Sequence, residues 1–198
     1  MPTLCKNFEI EKCPHCRIDN PNLSQINKFE TKDHKHKNKR AWIVYSCSRC
    51  GGVVIASSVS FGAEVQEYYP QNPTVDSSLP IKAKSFLKQA YDSIHAPAGC
   101  IMLCASSVDA MLKEKGYSDG SLYNRINQAS DDHLITEDMK TWAHEVRLDA
   151  NDQRHADEDA GLPEVEDAKR TIEFTKALAE YLFVLPSKVT RGIRRVDG

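Results

Sequence analysis

Four cysteines in two Cys-x-x-Cys pairs are the residues of this 198-residue chain whose types and spacing most directly predict chemistry. The first pair is Cys13 and Cys16, and the second is Cys47 and Cys50. A tight turn presents both thiolates of such a pair to one side, and two pairs supply the four ligands of a tetrahedral zinc ion. We therefore predict a structural Zn2+ site. Redox or disulfide pairs are the alternative, which the absence of a secretory signal and of a βαβ pattern disfavours.

The segments around the cysteines read as short strands. Residues 8–12 precede the first pair, and residues 41–46 and 53–60 lie on either side of the second. Gly51 and Gly52 follow the second pair, where the chain has to turn sharply and let backbone N–H groups approach sulfur. These features predict a zinc ribbon, a small β module that depends on its metal for folding.

A strongly basic run lies between the two cysteine pairs, at residues 32–40. We predict that it is a loop at the end of the ribbon, whose cationic side chains contact the phosphates of RNA or DNA. The candidate nucleic-acid-binding residues are Lys35, Lys37, Lys39 and Arg40. The alternative is a solvated loop whose charge only keeps the ribbon soluble.

A second group of residues that could do chemistry lies on a predicted helix, within residues 142–155. Arg147, Asn151 and His155 are four residues apart and therefore share one face of that helix. The apolar residues of the helix point elsewhere, and they are Met139, Trp142, Ala143, Val146 and Ala150. A solvated face would carry Lys and Glu. This one is therefore either a functional site or a hydrogen-bonding network that holds helices together.

These two groups belong to different predicted domains. Residues 1–66 form the β zinc ribbon, and residues 67–80, with three prolines and no helical or alternating period, form a linker. Residues 81–188 are predicted to be an antiparallel bundle of four or five helices, the last of which stops before Pro186. Residues 189–198 are a basic tail. The predicted fold class is α+β, with a small N-terminal β ribbon followed by an all-α bundle.

The overall composition narrows the function only by exclusion. A formal net charge of −2 offers no general attraction to nucleic acid or to a membrane surface, so any such binding has to come from local clusters. A hydrophobic content of 40% with 27% charged residues is typical of a globular protein. Because the chain has no run of about 18 apolar residues, we expect a cytoplasmic protein without membrane spans.

Three segments of the helical region together resemble a known domain family. They are residues 101–116, residues 122–126, and residues 134–136 with 142–155. In the last of them, Arg147, Asn151 and His155 match an Arg-x-x-Gly-Asn-x-x-x-His pattern. Ala150 stands at the position where Gly is common. The segments resemble an uncharacterised all-helical domain that often occurs with restriction-endonuclease subunits. That domain is regarded as a branch of the HEPN superfamily (higher eukaryotes and prokaryotes nucleotide-binding). The resemblance implies a HEPN-like helical bundle.

The resemblance also implies candidate catalytic residues, because HEPN ribonucleases use an Arg and a His to cut RNA as dimers without metal. The candidates are Arg147, Asn151, His155 and Asp109. Histidine would act as general acid or base, and arginine would stabilise the charge that develops on the phosphate. Seven residues separate Arg147 from His155, however, which places their Cα atoms about 12 Å apart on one helix. We therefore favour the alternative in which Asp109 pairs with Arg147 and the polar face is structural.

The favoured hypothesis is a zinc-ribbon HEPN-like accessory or adaptor protein that associates with nucleic acid. Its link to defence against foreign DNA or mobile elements is implied by the resemblance alone. The alternatives are a metal-independent, toxin-like ribonuclease that acts as a dimer, and a purely structural dimerisation module. The expected partners are a second copy bound through the helical domain, RNA or DNA, and a protein of a defence system.

Overall fold

The computed structural model describes residues 2–155 and 161–193, except for the side chain of His155. The contacts within the chain separate two compact units, Met1–Pro73 and Thr74–Gly198. Strands form the first unit and helices the second, so the predicted α+β class is confirmed at this level.

The N-terminal unit is built on a four-stranded antiparallel sheet with the strand order β1-β2-β3-β4. The strands are β1 (Leu23–Thr31), β2 (Arg40–Cys47), β3 (Val53–Ser58) and β4 (Glu67–Tyr69). Each strand pairs with the next one along the chain, which short connections allow in an antiparallel sheet. β4 lies within residues 67–80, the segment that the sequence predicts to be a linker, and it extends the sheet by pairing with β3.

One face of the sheet carries the small apolar core of this unit. Along β2 the side chains of Ala41, Ile43 and Tyr45 are buried, whereas the residues between them are half-buried, as the two-residue period of a strand requires. The N-terminal segment covers that face. Leu4 is fully buried, and the ring of Phe8 stacks on that of Tyr45 with the centroids 5.1 Å apart.

The first strand lies further along the chain than the sequence suggests. The prediction of a strand at residues 8–12 is wrong, because the structure has isolated bridges there, at Asn7 and Lys12, and no continuous ladder. The strand that the sequence analysis misses is β1, of whose nine side chains seven are exposed. It is an edge strand of mostly polar composition, so the apolar alternation that reveals a half-buried strand is weak.

The second unit consists of helices that pack around one apolar core. They are α1 (Ile81–Asp92), α2 (Pro97–Glu114), α3 (Leu122–Asp131), α4 (Glu137–His155), α5 (Val165–Ala179) and α6 (Leu185–Ile193). α2 lies at the centre, because it packs against α1, α4 and α5 and buries Cys100 and Cys104 among its apolar residues. Of the helices in the described ranges, none combines the length and the apolar character needed to cross a membrane.

α3 and α4 carry the polar residues that the sequence singles out, and side-chain caps fix where both helices begin. The Ser121 hydroxyl accepts a hydrogen bond from the Asn124 N–H at 3.3 Å. The Thr136 hydroxyl accepts one from the Met139 N–H at 3.2 Å. Caps of this kind satisfy N–H groups that have no partner within the helix.

The helical path continues through Pro186, so the prediction that the last helix stops before this proline is wrong. A π-helical segment, Glu180–Val184, joins α5 to α6, and the N–H of Leu185 donates to the carbonyl of Glu180, five residues back. This turn is wider than an α turn. It therefore accommodates a proline, which lacks an N–H and would crowd the carbonyl four residues before it.

Candidate metal centre, basic loop and polar helix face

The two Cys-x-x-Cys pairs come together in the N-terminal unit and form one cluster of four sulfur atoms. The Sγ atoms of Cys13, Cys16, Cys47 and Cys50 all lie within 4.8 Å of one another. Cys13 Sγ and Cys50 Sγ, one from each pair, are 3.9 Å apart. A tetrahedral ion with thiolate bonds of about 2.3 Å needs sulfurs about 3.8 Å apart. The cluster therefore fits a metal ion bound by four thiolates.

Both pairs lie on turns that direct backbone N–H groups at sulfur. The N–H groups of His15 and Cys16 point at the sulfur of Cys13, and those of Arg49 and Cys50 point at the sulfur of Cys47. The second turn ends at Gly51, whose φ of +70° is the left-handed conformation that favours glycine. Hydrogen bonds from N–H groups stabilise thiolates, so both turns are shaped for metal ligands rather than for neutral thiols.

The pKa values of the clustered thiols shift in different directions. Burial raises the pKa of Cys13, and burial with the neighbouring thiols raises the pKa of Cys50 to about 12. Burial also opposes ionisation of Cys47, but N–H groups and the adjacent thiols outweigh it and lower that pKa. Four thiolates this close together repel one another, so full ionisation requires a bound metal ion.

His15 connects the first turn to the sheet and has no place among the ligands. Its Nε2 atom lies 2.8 Å from the carbonyl oxygen of Val53. Its ring packs over Gly52, where an added Cβ atom would lie 2.4 Å from a ring carbon. The N–H of Gly52 donates to Cys50 Sγ at 3.4 Å. The sequence predicts the close approach of this N–H, but it gives no sign that a side chain at position 52 would collide with His15.

The basic loop, residues 32–39, connects β1 to β2, as the sequence predicts. One carboxylate holds its shape: Asp33 Oδ1 accepts hydrogen bonds from the N–H groups of Lys35 and Lys37 at 3.0 and 2.8 Å. Asp33 Oδ2 accepts from the side-chain amide of Asn38 at 2.7 Å. The loop is therefore an ordered turn in which the N–H groups of Lys35 and Lys37 are hydrogen-bonded within the loop.

The four candidate nucleic-acid-binding residues fall into two pairs. Lys39 forms an ion pair with Glu30 at 2.7 Å, and Arg40 forms one with Glu67. The side chains of Lys35 and Lys37 are exposed, and neither has an acidic partner among the residues that the structure describes. Lys35 and Lys37 are thus the two candidates whose charges remain available.

The polar face of α4 packs on α3 through Tyr123. The ring of His144 lies 4.9 Å from that of Tyr123, and the guanidinium carbon of Arg147 lies 5.3 Å from the same ring. His144 Nε2 also lies 3.1 Å from Asn127 Oδ1. Burial, with help from Arg147 and Lys140, lowers the pKa of His144, so its neutral form is favoured. Tyr123 is not among the residues that the sequence singles out. Its place two residues after the Ser121 cap, on the first turn of α3, is the signal that could have drawn attention to it.

Asp109 pairs with a different arginine from the one expected. Its carboxylate lies 2.6 Å from Arg125 Nη1 and 2.6 Å from Lys113 Nζ. Arg125 Nη2 also donates to the carbonyls of Ser118 and Gly120, at 3.0 and 2.6 Å. The favoured pairing of Asp109 with Arg147 is therefore wrong, because Arg125 on α3 reaches Asp109 from the loop side of α2. This buried ion pair fixes the α2–α3 connection.

The candidate catalytic residues do not meet at one place in the described part of the chain. Asp109 and Arg125 line a groove of about 1130 Å³ on the helical unit. Arg147 and Asn151 are not among the described residues that line it, and the side chain of Asn151 is exposed on α4. His155 is the last residue of α4, and its side chain lies outside the described residues.

Comparison with known proteins assigns the helical unit to a family. The family described as Domain of unknown function (DUF4145) matches residues 88–195, which is more than half of the chain. Neither the curated proteins nor the solved structures contain a significant match. The match spans every helix from α2 to α6 and includes Arg125, Arg147 and Asn151. The chain therefore belongs to the DUF4145 family.

Proposed function

We propose that this DUF4145 protein is an accessory or adaptor protein that binds nucleic acid through the basic loop of a zinc ribbon. The helical unit would be a HEPN-like bundle that pairs with a second copy and with a protein of a defence system. Its role would be defence against foreign DNA or mobile elements in the cytoplasm. That role rests on the resemblance of the helical region to domains that occur with restriction-endonuclease subunits.

The observation that carries this proposal is the pair of unpartnered lysines on a loop of fixed shape. Lys35 and Lys37 project from a turn whose backbone Asp33 already satisfies. Binding of such a loop to phosphates loses little conformational freedom of the chain, since the loop is ordered beforehand. Neutralised phosphates release counterions, so the predicted affinity depends steeply on salt.

The distribution of charge favours the same unit. Residues 1–73 contain ten Lys and Arg against seven Asp and Glu, whereas residues 74–198 contain sixteen against twenty-one. Within residues 32–40 five cationic side chains face a single acidic one, Asp33. Because the helical unit is acidic as a whole, phosphate contacts are expected on the N-terminal unit.

Zinc is the metal that best suits the sulfur cluster. Four thiolates at tetrahedral spacing are typical of a structural Zn2+ site, in which no coordination position remains open for catalysis. The ion would therefore hold the ribbon together and take no part in a reaction.

Pairing of two copies through the helical unit is supported by α6. Leu185, Val189 and Ile193 recur every four residues on this helix, and their side chains are 48%, 52% and 58% exposed. A partner that covers this apolar stripe would remove it from water, which favours association. A second copy would supply such a partner.

The ribonuclease alternative retains one observation in its favour. Arg147 Nε and His144 Nδ1 are buried and have no hydrogen-bond partner among the described residues. A phosphate bound beside Tyr123 would accept a hydrogen bond from Arg147 Nε. Expression of the wild type beside Arg147→Ala and His155→Ala tests this alternative, and intact cellular RNA with equal growth in all three cultures would exclude it.

The nucleic-acid proposal is tested by reversing the charges of Lys35 and Lys37, the two candidate residues that have no acidic partner in the described part of the chain. We expect the variant Lys35→Glu/Lys37→Glu to bind RNA or DNA oligonucleotides at least about tenfold more weakly at low salt than the wild type. The slope of log affinity against log salt should fall by about 1.4 to 1.8, which corresponds to two lost phosphate contacts. Fluorescence anisotropy over a series of salt concentrations measures both quantities.

A matched control separates the loop from the overall charge of the protein. Lys88 and Lys176 are exposed on α1 and α5, and Lys88→Glu/Lys176→Glu changes the net charge by the same amount. This control should retain the affinity and salt slope of the wild type. Equal affinity and slope in the loop variant would contradict the proposal.

A further inference from the structure

The sheet of the N-terminal unit has a second face that the apolar core leaves uncovered. Cross-strand pairing places Phe29 opposite Trp42, Val44 opposite Ile55, and Ile55 opposite Tyr69, so these side chains share one face. Phe29 is 42% exposed and Tyr69 is 50% exposed. A row of aromatic and branched side chains thus faces away from the core, although polar residues are usual on the solvent side of an antiparallel sheet.

Two of these rings form a platform at the end of the sheet nearest the basic loop. The ring centroids of Phe29 and Trp42 are 6.4 Å apart, and the ring planes are nearly parallel, with an interplanar angle of 13°. The indole N–H of Trp42 donates to Thr31 Oγ1 at 2.9 Å, which fixes the orientation of the ring. The Phe29–Trp42 platform is therefore ordered before any ligand binds.

The platform and the free lysines lie on the same hairpin. Phe29 is two residues before the end of β1, and Trp42 is two residues after the start of β2. Two residues of a strand span about 7 Å, so the rings lie about that far along the strands from the start of the loop that carries Lys35 and Lys37. Aromatic faces beside cationic side chains are the two elements with which proteins bind unpaired bases and their phosphates.

On the opposite side of this face, a carboxylate is already paired with a cation. The Glu67 carboxylate on β4 accepts hydrogen bonds from Ser57 Oγ at 2.9 Å and from the Tyr69 hydroxyl at 3.0 Å, and it pairs with Arg40. These hydrogen bonds, together with Arg40, lower the pKa of Glu67, so it remains ionised. A phosphate chain would therefore follow the β1–β2 hairpin and avoid β4.

We infer that the occupant of this face is single-stranded nucleic acid, whose unpaired bases stack on the Phe29–Trp42 platform while its phosphates contact Lys35 and Lys37. This inference rests on the proposed function and adds the class of nucleic acid to it. A duplex cannot bind in this way, because its bases are stacked on one another inside the helix and expose only their edges. A protein partner is the competing occupant, and it would have no need of the free lysines.

The test compares oligonucleotide binding by the full-length, metal-loaded wild type and the variants Phe29→Ala and Trp42→Phe. Phe29→Ala should weaken binding of a single-stranded oligonucleotide by about 5- to 150-fold, the range found when one stacking side chain is removed. Its salt slope should stay that of the wild type, because stacking releases no counterions. Trp42→Phe keeps an aromatic ring and should bind within about threefold of the wild type.

Phe61→Ala is the matched control, because Phe61 is an exposed phenylalanine of the same unit whose ring lies against Lys28. It should bind as the wild type does. If the Phe29→Ala protein loses its metal, Phe29→Leu is used as the test variant instead. Leucine keeps the apolar contact and lacks the aromatic ring. Far-ultraviolet circular dichroism and metal content decide which of the two is used.

The possible outcomes separate this inference from the proposed function. Tighter binding of single strand than of duplex, with a loss in the Phe29 variant but not in Trp42→Phe or Phe61→Ala, supports the inference. If Lys35→Glu/Lys37→Glu weakens binding but the Phe29 variant does not, the nucleic-acid function stands and the stacking platform is refuted. If the wild type binds neither single strand nor duplex, both proposals fail.

Discussion

Among the described residues, the N-terminal unit buries ten apolar residues in its core, and the helical unit buries twenty-five. Two of the ten, Cys13 and Cys47, belong to the sulfur cluster. A core of this size contributes too little to offset the conformational entropy of about 70 residues, whereas the helical core is typical of a self-sufficient domain. The comparison teaches that packing is sufficient for the helical unit, whereas the N-terminal unit has a small core beside a four-sulfur cluster that fits a metal ion.

Loss of one sulfur ligand should cause the largest loss of folding stability, and that loss should be limited to the N-terminal unit. We expect Cys47→Ser to unfold the N-terminal unit, because metal binding at a four-thiolate site contributes about 10 to 16 kcal/mol of apparent folding free energy. The helical signal at 222 nm should persist. Hydrogen exchange followed by mass spectrometry would locate the unfolded segment within residues 2–73.

The exposed Cys5 provides a matched control, since it is a cysteine of the same unit outside the cluster. Cys5→Ser should retain the metal and the protection pattern of the wild type. A Cys47→Ser protein that keeps one metal ion per chain and full protection would disprove the ligand set.

Loss of an interior ion pair should destabilise the helical unit. Removal of metal should leave its stability unchanged. Arg125→Met leaves Asp109 partly buried without its main partner, which costs about 3 to 5 kcal/mol. Lys113→Met removes the other, more exposed partner of the same carboxylate and should cost under about 1 kcal/mol. Urea unfolding followed at 222 nm measures both.

The comparison between these two variants is informative in itself. Similar small losses of unfolding free energy in both variants would mean that solvent screens Asp109. The Asp109–Arg125 pair would then not hold the α2–α3 connection. Removal of the metal with a chelator should leave the midpoint of the helical transition unchanged in the wild type and in both variants.

The smallest expected effect tests how tightly the metal centre is packed. Gly52→Ala would bring a Cβ atom to 2.4 Å from the ring of His15, so the ring has to move and gives up its contact with Val53. Overpacking of this kind costs about 1 to 3 kcal/mol. Competition with a chelator should therefore detect weaker metal binding by the variant.

The double variant Gly52→Ala/His15→Ala should recover part of that loss, because the collision is removed. If the two substitutions instead add independently, His15 does not pack on position 52 as the structure describes.

The parts of this protein that the sequence predicts well depend on local spacing. The two Cys-x-x-Cys pairs identify the sulfur cluster because each pair needs only one turn. The partner of Asp109 depends on how α2 and α3 pack, and no local pattern distinguishes Arg125 from Arg147. The sequence does not reveal β1, because an exposed edge strand has little apolar periodicity. It does not reveal the helical path through Pro186, because a π turn has no sequence signal of its own.

The carboxylate of Asp33 has a further consequence for how the basic loop can change. It holds the turn through the main-chain N–H groups of positions 35 and 37, which every residue except proline possesses, and not through the side chains there. The shape of the loop therefore does not depend on which side chains it displays at positions 35 and 37. Substitutions at these two positions, other than by proline, can therefore change the charge that the loop displays without changing the hydrogen bonds that hold its turn.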